Sequence, residues 1–200
     1  MWMTEAWNDC ADEVEDAALA LRIAGRDADA FEILVRRYSG RVSRMALRML
    51  GDRGEAEDVT QDVFATVWCR VGELADPGAV RTWLFRIAHR QCLAILRKRR
   101  DRRTDPLATI PESGTTAIAT AQVDGRFHPE RAATASAGVD ALYRAVETLP
   151  SPQRAVWLMA EVGGVSHAEI AAVVGASEQA VRGRLARART RLAVVMRAWR

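Results

Sequence analysis

Apolar residues recur every three to four positions along most of this chain, which is the period of an amphipathic α-helix. In the first half of the chain this pattern predicts four helices, near residues 12–24, 28–50, 55–72 and 79–103. Turn-forming residues interrupt them at Gly51–Gly54 and at Asp76–Gly78. Alternating apolar and polar positions, which would indicate strands, are nearly absent. The predicted fold class is therefore all-α.

Residues 104–138 break this pattern, because they combine prolines, glycines and threonines with little periodicity. They predict a flexible linker between two small helical domains. In the second domain, Ser151–Pro152 predicts a helix start with a capping serine followed by proline. The predicted organisation is an acidic N-terminal extension with a first helix (1–24), a helical domain (25–103), the linker (104–138) and a second helical domain (139–200).

The segment VSHAEIAAVVGASEQAVRGRLARARTRL, residues 165–192, predicts two helices joined by a short turn. Ser166 and Glu169 have the spacing of a capping box at the start of the first helix. Gly175 is a natural helix stop, and Ser177 can cap the second helix. A short helix, a glycine turn and a basic second helix together form a helix-turn-helix. Its second helix has the size that enters a DNA major groove.

This second helix has two distinct faces. Its buried side is predicted by an apolar stripe at helical spacing: Val181, Leu185, Ala188, Leu192 and Val195. The opposite face shows Gln179, Gly183 and Ala186, flanked by Arg182, Arg184 and Arg187. Every charged residue from Gln179 onward is an arginine, and an uncompensated cationic surface suits DNA phosphates. The alternative is a helical hairpin with a solvated basic face.

Charge is unevenly distributed, although the net charge is only +3. Residues 1–32 are rich in acids, whereas 81–103 and 179–200 are strongly basic, which favours a nucleic-acid partner. Neither the cysteines nor the histidines have the spacing of metal ligands or of a catalytic group: Cys10, Cys69, Cys92, His89, His128 and His167. We therefore expect no metal, cofactor or catalytic residue. No segment predicts a membrane span or a signal peptide, so a cytoplasmic location is expected.

The helix predicted at 55–72 contains AEDVTQDVFATVW, which separates into two sides. Ala56, Val59, Val63 and Val67 share the side predicted to face the core. The other side carries Asp58, Gln61, Asp62 and Trp68. Acids on a solvent face usually serve solvation, but tryptophan is enriched where proteins bind each other. A protein-docking surface is therefore predicted, with simple solvation and a catalytic carboxylate pair as the alternatives.

The helix predicted at 79–103, which contains RTWLFRIAHRQCLAILRKRR, is also two-sided. Val80, Leu84, Ile87 and Ile95 are predicted to face inward. A basic stripe with nearby aromatic residues lies opposite: Trp83, Phe85, Arg86, His89, Arg90 and Arg97. Basic residues near a helix C-terminus can be purely structural. A basic stripe beside aromatic rings also resembles a single-stranded nucleic-acid surface, which is the interpretation favoured here.

The acidic helix, the basic helix and the C-terminal helix-turn-helix, in this order, resemble a group 4 (extracytoplasmic function) sigma factor of the sigma-70 family. The resemblance covers the chain from about residue 25, apart from the linker. It implies a non-enzymatic subunit that binds bacterial RNA polymerase core and directs it to promoters. It also implies an anti-sigma factor that masks both domains until a signal arrives.

The resemblance implies roles for three sets of residues. The docking set would contact the β′ clamp helices of the polymerase: Asp58, Gln61, Asp62, Phe64 and Trp68. The −10 set would hold the melted promoter strand: Trp83, Arg86, His89, Arg90 and Arg97. The −35 set would recognise duplex DNA beside the β flap: Ser177, Gln179, Arg182, Gly183, Arg184, Ala186 and Arg187.

The length of the predicted linker limits what it can do. As a free coil its span is about 30–35 Å, and fully stretched it reaches roughly 115–125 Å. DNA sites some 20–25 base pairs apart are separated by roughly 70–85 Å. The linker can bridge this distance but cannot set it, so a partner must order the linker.

Three other functions remain to be compared. A stand-alone helix-turn-helix regulator of operator DNA is the main alternative, and it would not need the acidic docking helix. A small helical nuclease or hydrolase would need clustered ligands or a nucleophile with its base. A pure protein adaptor is disfavoured by two separate basic surfaces.

Overall fold

A computed structural model describes residues 15–104 and 141–197, together with Gly138. These residues form helices and turns, and no strand occurs among them. The N-terminal unit holds α1 (15–24), α2 (Ala28–Leu50), α3 (Arg53–Arg70) and α4 (Val80–Thr104), with short 3₁₀ turns at Val71–Glu73 and Pro77–Ala79. The C-terminal unit holds α5 (141–147), α6 (Ser151–Glu161), α7 (His167–Val174) and α8 (Glu178–Arg197).

The predicted helices agree closely with these bounds, and the all-α fold class is confirmed. The predicted linker lies outside the described residues except at Thr104 and Gly138. The predicted N-terminal extension is described only from residue 15 onward.

Local hydrogen bonds explain where α2 and α3 begin and end. Asp27 accepts a hydrogen bond from the Ala30 amide at 3.0 Å, and Asp52 accepts one from the Glu55 amide at 2.8 Å. Each aspartate thereby satisfies an amide that the first helical turn leaves without a partner. Gly51 ends α2 with a φ of 69°, a left-handed conformation that glycine adopts without steric cost.

The core of the N-terminal unit lies between α2, α3 and α4 and is closed by α1. The predicted core side of α3 is confirmed, since Ala56, Val59, Val63 and Val67 are all buried. On α4, Val80 and Leu84 are fully buried, whereas Ile87 and Ile95 are only partly buried against the cluster. Packing on three sides by apolar faces stabilises the bundle.

A buried polar group ties α1 to α2. Asp16, which is 1% exposed, accepts hydrogen bonds from the Tyr38 hydroxyl and from Arg37 at 2.7 Å. Burial raises the pKa of the Asp16 carboxyl, while the bonds from Tyr38 and Arg37 act in the opposite direction. Burial and the bond to Asp16 also raise the pKa of Tyr38. The network satisfies polar groups that would otherwise be costly inside the core.

The C-terminal unit contains the predicted helix-turn-helix, with two corrections. Helix α6 begins at Ser151, but Pro150 occupies the capping position and no side chain caps this helix, so the predicted serine cap is wrong. The apolar stripe of α8 is buried at Val181, Leu185, Ala188 and Leu192, whereas Val195 is 43% exposed. Val195 lies beyond the part of α8 that α6 and α7 cover, because both partner helices are short.

Among the described residues, the two units pack against each other at two main places. Helix α4 packs against α7, and the C-terminal end of α2 packs against α6. At the first place the ring of Phe85 meets the backbone of Gly163. At the second place Arg154 donates hydrogen bonds to the carbonyl oxygens of Arg48 and Met49. The basic face of α8 lies outside both contacts.

Replacing Tyr38 by Phe should lower the free energy of unfolding by about 1–3 kcal/mol, because Asp16 stays buried with one hydrogen bond fewer. Urea denaturation measures this difference. Tyr143→Phe is the matched control, since its hydroxyl has no hydrogen bond among the described residues, and it should change stability by less than about 0.5 kcal/mol. Equal effects of the two variants would contradict the buried network.

Candidate nucleic-acid interface

The exposed side of α3 is acidic. Asp58, Gln61 and Asp62 are exposed, and neither carboxylate has an ion-pair partner among the residues that the structure describes. Neighbouring acids behave differently, because Glu57 pairs with Arg53 and Glu55 pairs with Arg99, both through short contacts. The unpaired carboxylates form a surface that can accept a basic partner without first breaking an existing ion pair.

The two aromatic residues of the docking set lie deeper than their acidic neighbours. Phe64 is 7% exposed and belongs to the core of the N-terminal unit. Trp68 is half-buried, because Phe31 packs on it with ring centroids 5.0 Å apart and Arg26 lies 5.6 Å over its ring. The expectation that Trp68 lies open on the solvent side of α3 is therefore only partly met. The covering residues come from the start of α2 and the turn before it.

Helix α4 carries an open basic stripe. Arg90 and Arg97 are exposed, and Trp83 is half-buried on the same side of α4, about two helical turns before Arg90. A shallow groove continues the stripe and is lined by Ala94, Arg97, Lys98, Asp101 and Arg102. Cationic side chains along a groove can follow a phosphate backbone, and the half-buried indole ring offers a flat surface for a base.

The remaining −10 candidates lie on a neighbouring face of α4, which is less open. Helical spacing places Arg86 and His89 on the same face as Thr82 and Phe85. Thr82, Phe85 and His89 are 6%, 0% and 6% exposed, and Arg86 is half-buried. The structure thus divides the −10 candidates into an open stripe and a covered face.

His89 is held neutral by its surroundings. Burial lowers the pKa of the imidazole, and the positive charges of Arg90 and Arg97 lower the pKa further. A neutral, buried histidine does not offer a charge to DNA phosphate in this arrangement. Its place on the −10 face was predictable from spacing, but its burial depends on how α4 is packed.

The helix-turn-helix has the predicted local geometry. Ser166 and Glu169 form both hydrogen bonds of a capping box, which is confirmed. Gly175 ends α7 with a φ of 65°, and the Ser177 hydroxyl accepts from the Ala180 amide at 3.2 Å. Ser177 therefore serves as the cap of α8. These bonds fix the turn that sets α8 against α7.

The arginines of α8 differ in their partners. Arg182 pairs with Glu178 one turn earlier, and Arg189 pairs with Glu161 of α6 at 2.7 Å. Arg187 is exposed, and no carboxylate within the described residues pairs with it. Gln179 and Ala186 are also exposed, while Arg184 is half-buried. Arg187 is therefore an exposed cation of this face that a phosphate could bind without displacing an acid, and the half-buried Arg184 likewise has no carboxylate partner among the described residues.

Gly183 leaves room on the outer face of α8. A Cβ atom there would meet only the guanidinium of Arg187, at 3.4 Å or more. The core therefore does not require glycine, although glycine inside a helix costs about 1 kcal/mol relative to alanine. This position lets another molecule approach the α8 backbone closely.

Three further residues bring the covered face of α4 and the helix-turn-helix together, and the sequence interpretation missed them. Thr82 donates a hydrogen bond to Glu169, and Arg81 lies 3.8 Å from the same carboxylate. Glu169 was assigned only to its capping box, and spacing within one helix carries no information about a partner from another helix.

Among the described helices, none combines the length and the apolar character needed to cross a membrane. Nor do three or more His, Cys, Asp or Glu side chains of the described residues gather into a group that could hold a metal ion.

Two family models match the chain: "Sigma-70 region 2" over residues 34–102 and "Sigma-70, region 4" over residues 140–192. The "ECF RNA polymerase sigma factor SigM" of Mycobacterium tuberculosis is 33% identical over 175 residues, which is 88% of this chain and 81% of that protein. The "RNA polymerase sigma factor NccH" of Alcaligenes xylosoxydans is 32% identical over 182 residues, covering 90% of this chain and 94% of that protein.

Two solved structures are also similar. CnrH in complex with the cytosolic domain of CnrY aligns with a TM-score of 0.61 at 29% identity, covering 92% of this chain and 98% of that one. The sigma factor RpoE of Bartonella quintana, solved with the anti-sigma factor NepR, aligns with a TM-score of 0.66 and covers 85% and 98% of the two chains. Its identity is 23%, so this second likeness concerns the fold.

The lowered pKa of His89 predicts a dependence of stability on pH. In the unfolded chain His89 binds a proton at about pH 6.5, whereas in the folded chain its pKa is lower. The contribution of the neutral, buried His89 to stability is therefore fully present above about pH 6.5 and is lost as the pH falls below that value. Lowering the pH from about 7.5 to about 5.5 should therefore lower the melting temperature, and His89→Gln should reduce this loss. His167→Gln, at the start of α7, is the control and should keep the parent's response. An unchanged response in His89→Gln would contradict the assignment.

Proposed function

The chain belongs to the extracytoplasmic function group of sigma-70 factors, and on this premise we propose how its surfaces divide the work of promoter recognition. It binds bacterial RNA polymerase core and directs it to specific promoters through their −10 and −35 elements. Promoter opening by such a subunit needs binding energy and no covalent step, so the chain acts without catalysis of its own.

The acidic side of α3 docks on the polymerase. Asp58, Gln61 and Asp62 contact the β′ clamp helices through their exposed polar ends. Phe64 and Trp68 support this surface from below, since Phe64 is buried and Trp68 is packed under Arg26. Unpaired carboxylates that face a basic partner accelerate association and fix its orientation more than they add to affinity.

The open stripe of α4 holds the melted −10 strand. Arg90 and Arg97 neutralise backbone phosphates, and Trp83 offers its ring to an unstacked base. Arg86 joins this surface from the neighbouring face of α4, where the buried His89 lies beside it without offering a charge. Stacking and phosphate contacts offset the few kcal/mol, roughly, that extruding a base costs.

Helix α8 enters the major groove of the −35 element, beside the β flap of the polymerase. Gln179, Arg182 and Ala186 meet the base edges, and Arg184 and Arg187 hold the phosphates. Gly183 lets the DNA approach the helix closely, because nothing but the Arg187 side chain fills that space. Small residues at these positions leave part of the recognition to DNA shape.

A protein that masks both domains is proposed as the regulator of this chain. CnrH, which is 29% identical, has been solved with the cytosolic domain of CnrY bound, and the fold shared with RpoE accommodates the anti-sigma factor NepR in that protein. The regulator of this chain would be an anti-sigma factor of the same kind.

The unpaired carboxylates of α3 carry this proposal against the alternative of a stand-alone operator regulator, which needs no acidic docking surface. Run-off transcription with purified core polymerase on genomic fragments tests it. Specific transcripts that require the chain would support the proposal. Tight, specific binding of the chain alone to a duplex, without any such transcript, would favour the operator regulator.

Reversing the charge of Asp58 and Asp62 together to lysine should reduce retention by core polymerase at least tenfold in a pull-down, because like charges would face each other at the interface. Circular dichroism should show an unchanged fold, since both side chains are exposed. Asp29→Lys with Glu32→Lys, which makes the same charge change on exposed positions of α2, is the control and should keep binding. Full retention of the α3 variant would exclude the docking surface.

Arg187→Ala should weaken binding to a −35 duplex and reduce the slope of log affinity against log salt by about 1, because one phosphate contact is lost. Fluorescence anisotropy over a salt series measures both quantities. Arg189→Ala is the matched control, since Arg189 is bound to Glu161 on the side of α6. If both variants gave the parent's slope, α8 would not face the phosphates through Arg187.

A further inference from the structure

The turn between α1 and α2 holds an arginine in a left-handed backbone conformation. Arg26 has a φ of 65°, and among the described residues it is the one residue other than glycine with a positive φ. Its amide donates to the Ile23 carbonyl oxygen at 2.8 Å, and the Asp27 amide donates to the Arg22 carbonyl oxygen at 3.1 Å. These two bonds form a Schellman motif, whose left-handed position usually belongs to glycine. An arginine there carries backbone strain that glycine would avoid.

The side chain of Arg26 makes two contacts with Trp68, which lies 42 positions later in the chain. Its guanidinium donates a hydrogen bond to the Trp68 carbonyl oxygen at 3.0 Å. Its Cζ atom also lies 5.6 Å from the centre of the Trp68 ring, which is within the range of a cation–π interaction. One side chain therefore holds both the backbone and the ring of Trp68 near the C-terminal end of α3.

The first turn of α2 supplies a second contact to the same ring. The ring centroids of Phe31 and Trp68 are 5.0 Å apart, with an angle of 58° between the ring planes. The Phe31 amide donates to the carbonyl oxygen of Asp27 at 3.2 Å, and the Asp27 side chain caps α2 at the amide of Ala30. Because Arg26 directly precedes this cap, both contacts on Trp68 come from one hydrogen-bonded unit.

An ion pair fixes the turn that presents Arg26. Arg22 of α1 contacts the carboxylate of Asp27 at 2.8 Å. The hydrogen bond from the Ala30 amide and the bond from Arg22 lower the pKa of Asp27, so this carboxylate stays charged. The backbone of Arg26 is thus held from α1 on one side and from α2 on the other.

Trp68 belongs to the docking side of α3. It lies seven positions after Gln61, so the two residues share a face about two helical turns apart. Asp58, Gln61 and Asp62 are exposed on this side, while Trp68 is half-buried. Tryptophan is enriched among the residues that dominate binding between proteins. A ring that is already fixed loses less conformational freedom when a partner binds it, so association is tighter.

We propose that Arg26 is a positioning residue of the docking surface, which fixes the Trp68 ring so that core polymerase meets a surface that is already ordered. This inference rests on the proposed function of α3 as the docking surface. The charge of Arg26 is unfavourable towards the basic partner that the acidic side of α3 fits. Electrostatics and positioning therefore predict opposite effects when the side chain is removed.

The test removes the side chain without straining the turn. Arg26→Gly in the full chain keeps the left-handed conformation, which glycine adopts without steric cost. Arg26→Lys keeps a cation near the ring but lacks the planar fork of the guanidinium. The matched control is Arg36→Ala, which removes the same charge from an exposed position of α2, where Arg36 pairs with Glu32. Circular dichroism checks that each variant is folded.

Biolayer interferometry with immobilised core polymerase gives the dissociation constant of each protein. Arg26→Gly should raise this constant roughly three- to tenfold, which is the effect of having to order one more side chain on binding. Arg26→Lys should lie between the glycine variant and the parent. Arg36→Ala should bind no more weakly than the parent, because it loses only a charge that is unfavourable towards a basic partner.

Fluorine NMR of the chain labelled with 5-fluorotryptophan reports on the ring itself. The Trp68 resonance is assigned by its loss in Trp68→Phe. This resonance should shift or broaden in Arg26→Gly and keep the parent's position in Arg36→Ala. Trp157, which is 8% exposed in α6, should keep its resonance in both variants.

An unchanged Trp68 resonance in Arg26→Gly would overturn the positioning of the ring. A changed resonance with unchanged or tighter binding to polymerase would overturn the role of Arg26 in docking. The charge reversal of Asp58 and Asp62 separates this proposal from the previous one. If that reversal abolishes binding while Arg26→Gly binds like the parent, the docking surface stands and the role of Arg26 falls. If the reversal leaves binding intact, the docking surface itself fails.

Discussion

The core of the N-terminal unit covers only one side of helix α4. The arrangement of the molecule depends on which elements contact the other sides of this helix. One side, with Val80 and Leu84, packs against α2 and α3. A second side, with Thr82 and Phe85, meets α7 and the turn before it. The third, with Arg90 and Arg97, stays in water. Because all three sides belong to one rigid helix, any contact made by one side sets what the others can reach. Because the core holds α4 within the bundle, the C-terminal unit contacts α4 on a side that the core leaves open.

Two carboxylates that lie largely out of water, Asp16 and Glu169, are both paired, and each pairing connects different helices. Asp16 is satisfied by Tyr38 and Arg37 across two helices of the N-terminal unit. Glu169 is shared between its own helix cap and the partners on α4. Each arrangement meets the cost of removing a carboxylate from water, because donors from neighbouring elements replace the lost hydration. By contrast, Asp58, Asp62 and Arg187 have no such partners among the described residues and are the side chains best placed for other molecules.

The helices and the caps within the helix-turn-helix could be predicted, because apolar period and capping chemistry are local properties. The capping box at Ser166, the glycine stop at Gly175 and the core side of α3 all followed from spacing within one helix. The predicted serine cap of α6 was wrong by one residue, because Pro150 occupies the capping position and Ser151 is the first helical residue. The depth of Phe64 and Trp68 was not predictable from α3, because the covering residues Phe31 and Arg26 belong to other elements. Which individual residues of the three candidate surfaces contact polymerase or DNA remains a proposal.

By itself the sequence determined an all-α chain with two helical units. It also determined an acidic helix, a basic helix and a C-terminal helix-turn-helix, because apolar period, capping residues and charge are local properties of the sequence. Only the tertiary structure decided which basic residues of α4 are open and which lie on a covered face. It also decided that His89 is buried and neutral. Glu169 accepts a hydrogen bond from Thr82 and lies near Arg81, in addition to forming the capping box with Ser166. The physical reason is that burial and pairing depend on side chains from helices distant in sequence, such as the 87 positions between Thr82 and Glu169. No pattern within a single helix contains that information.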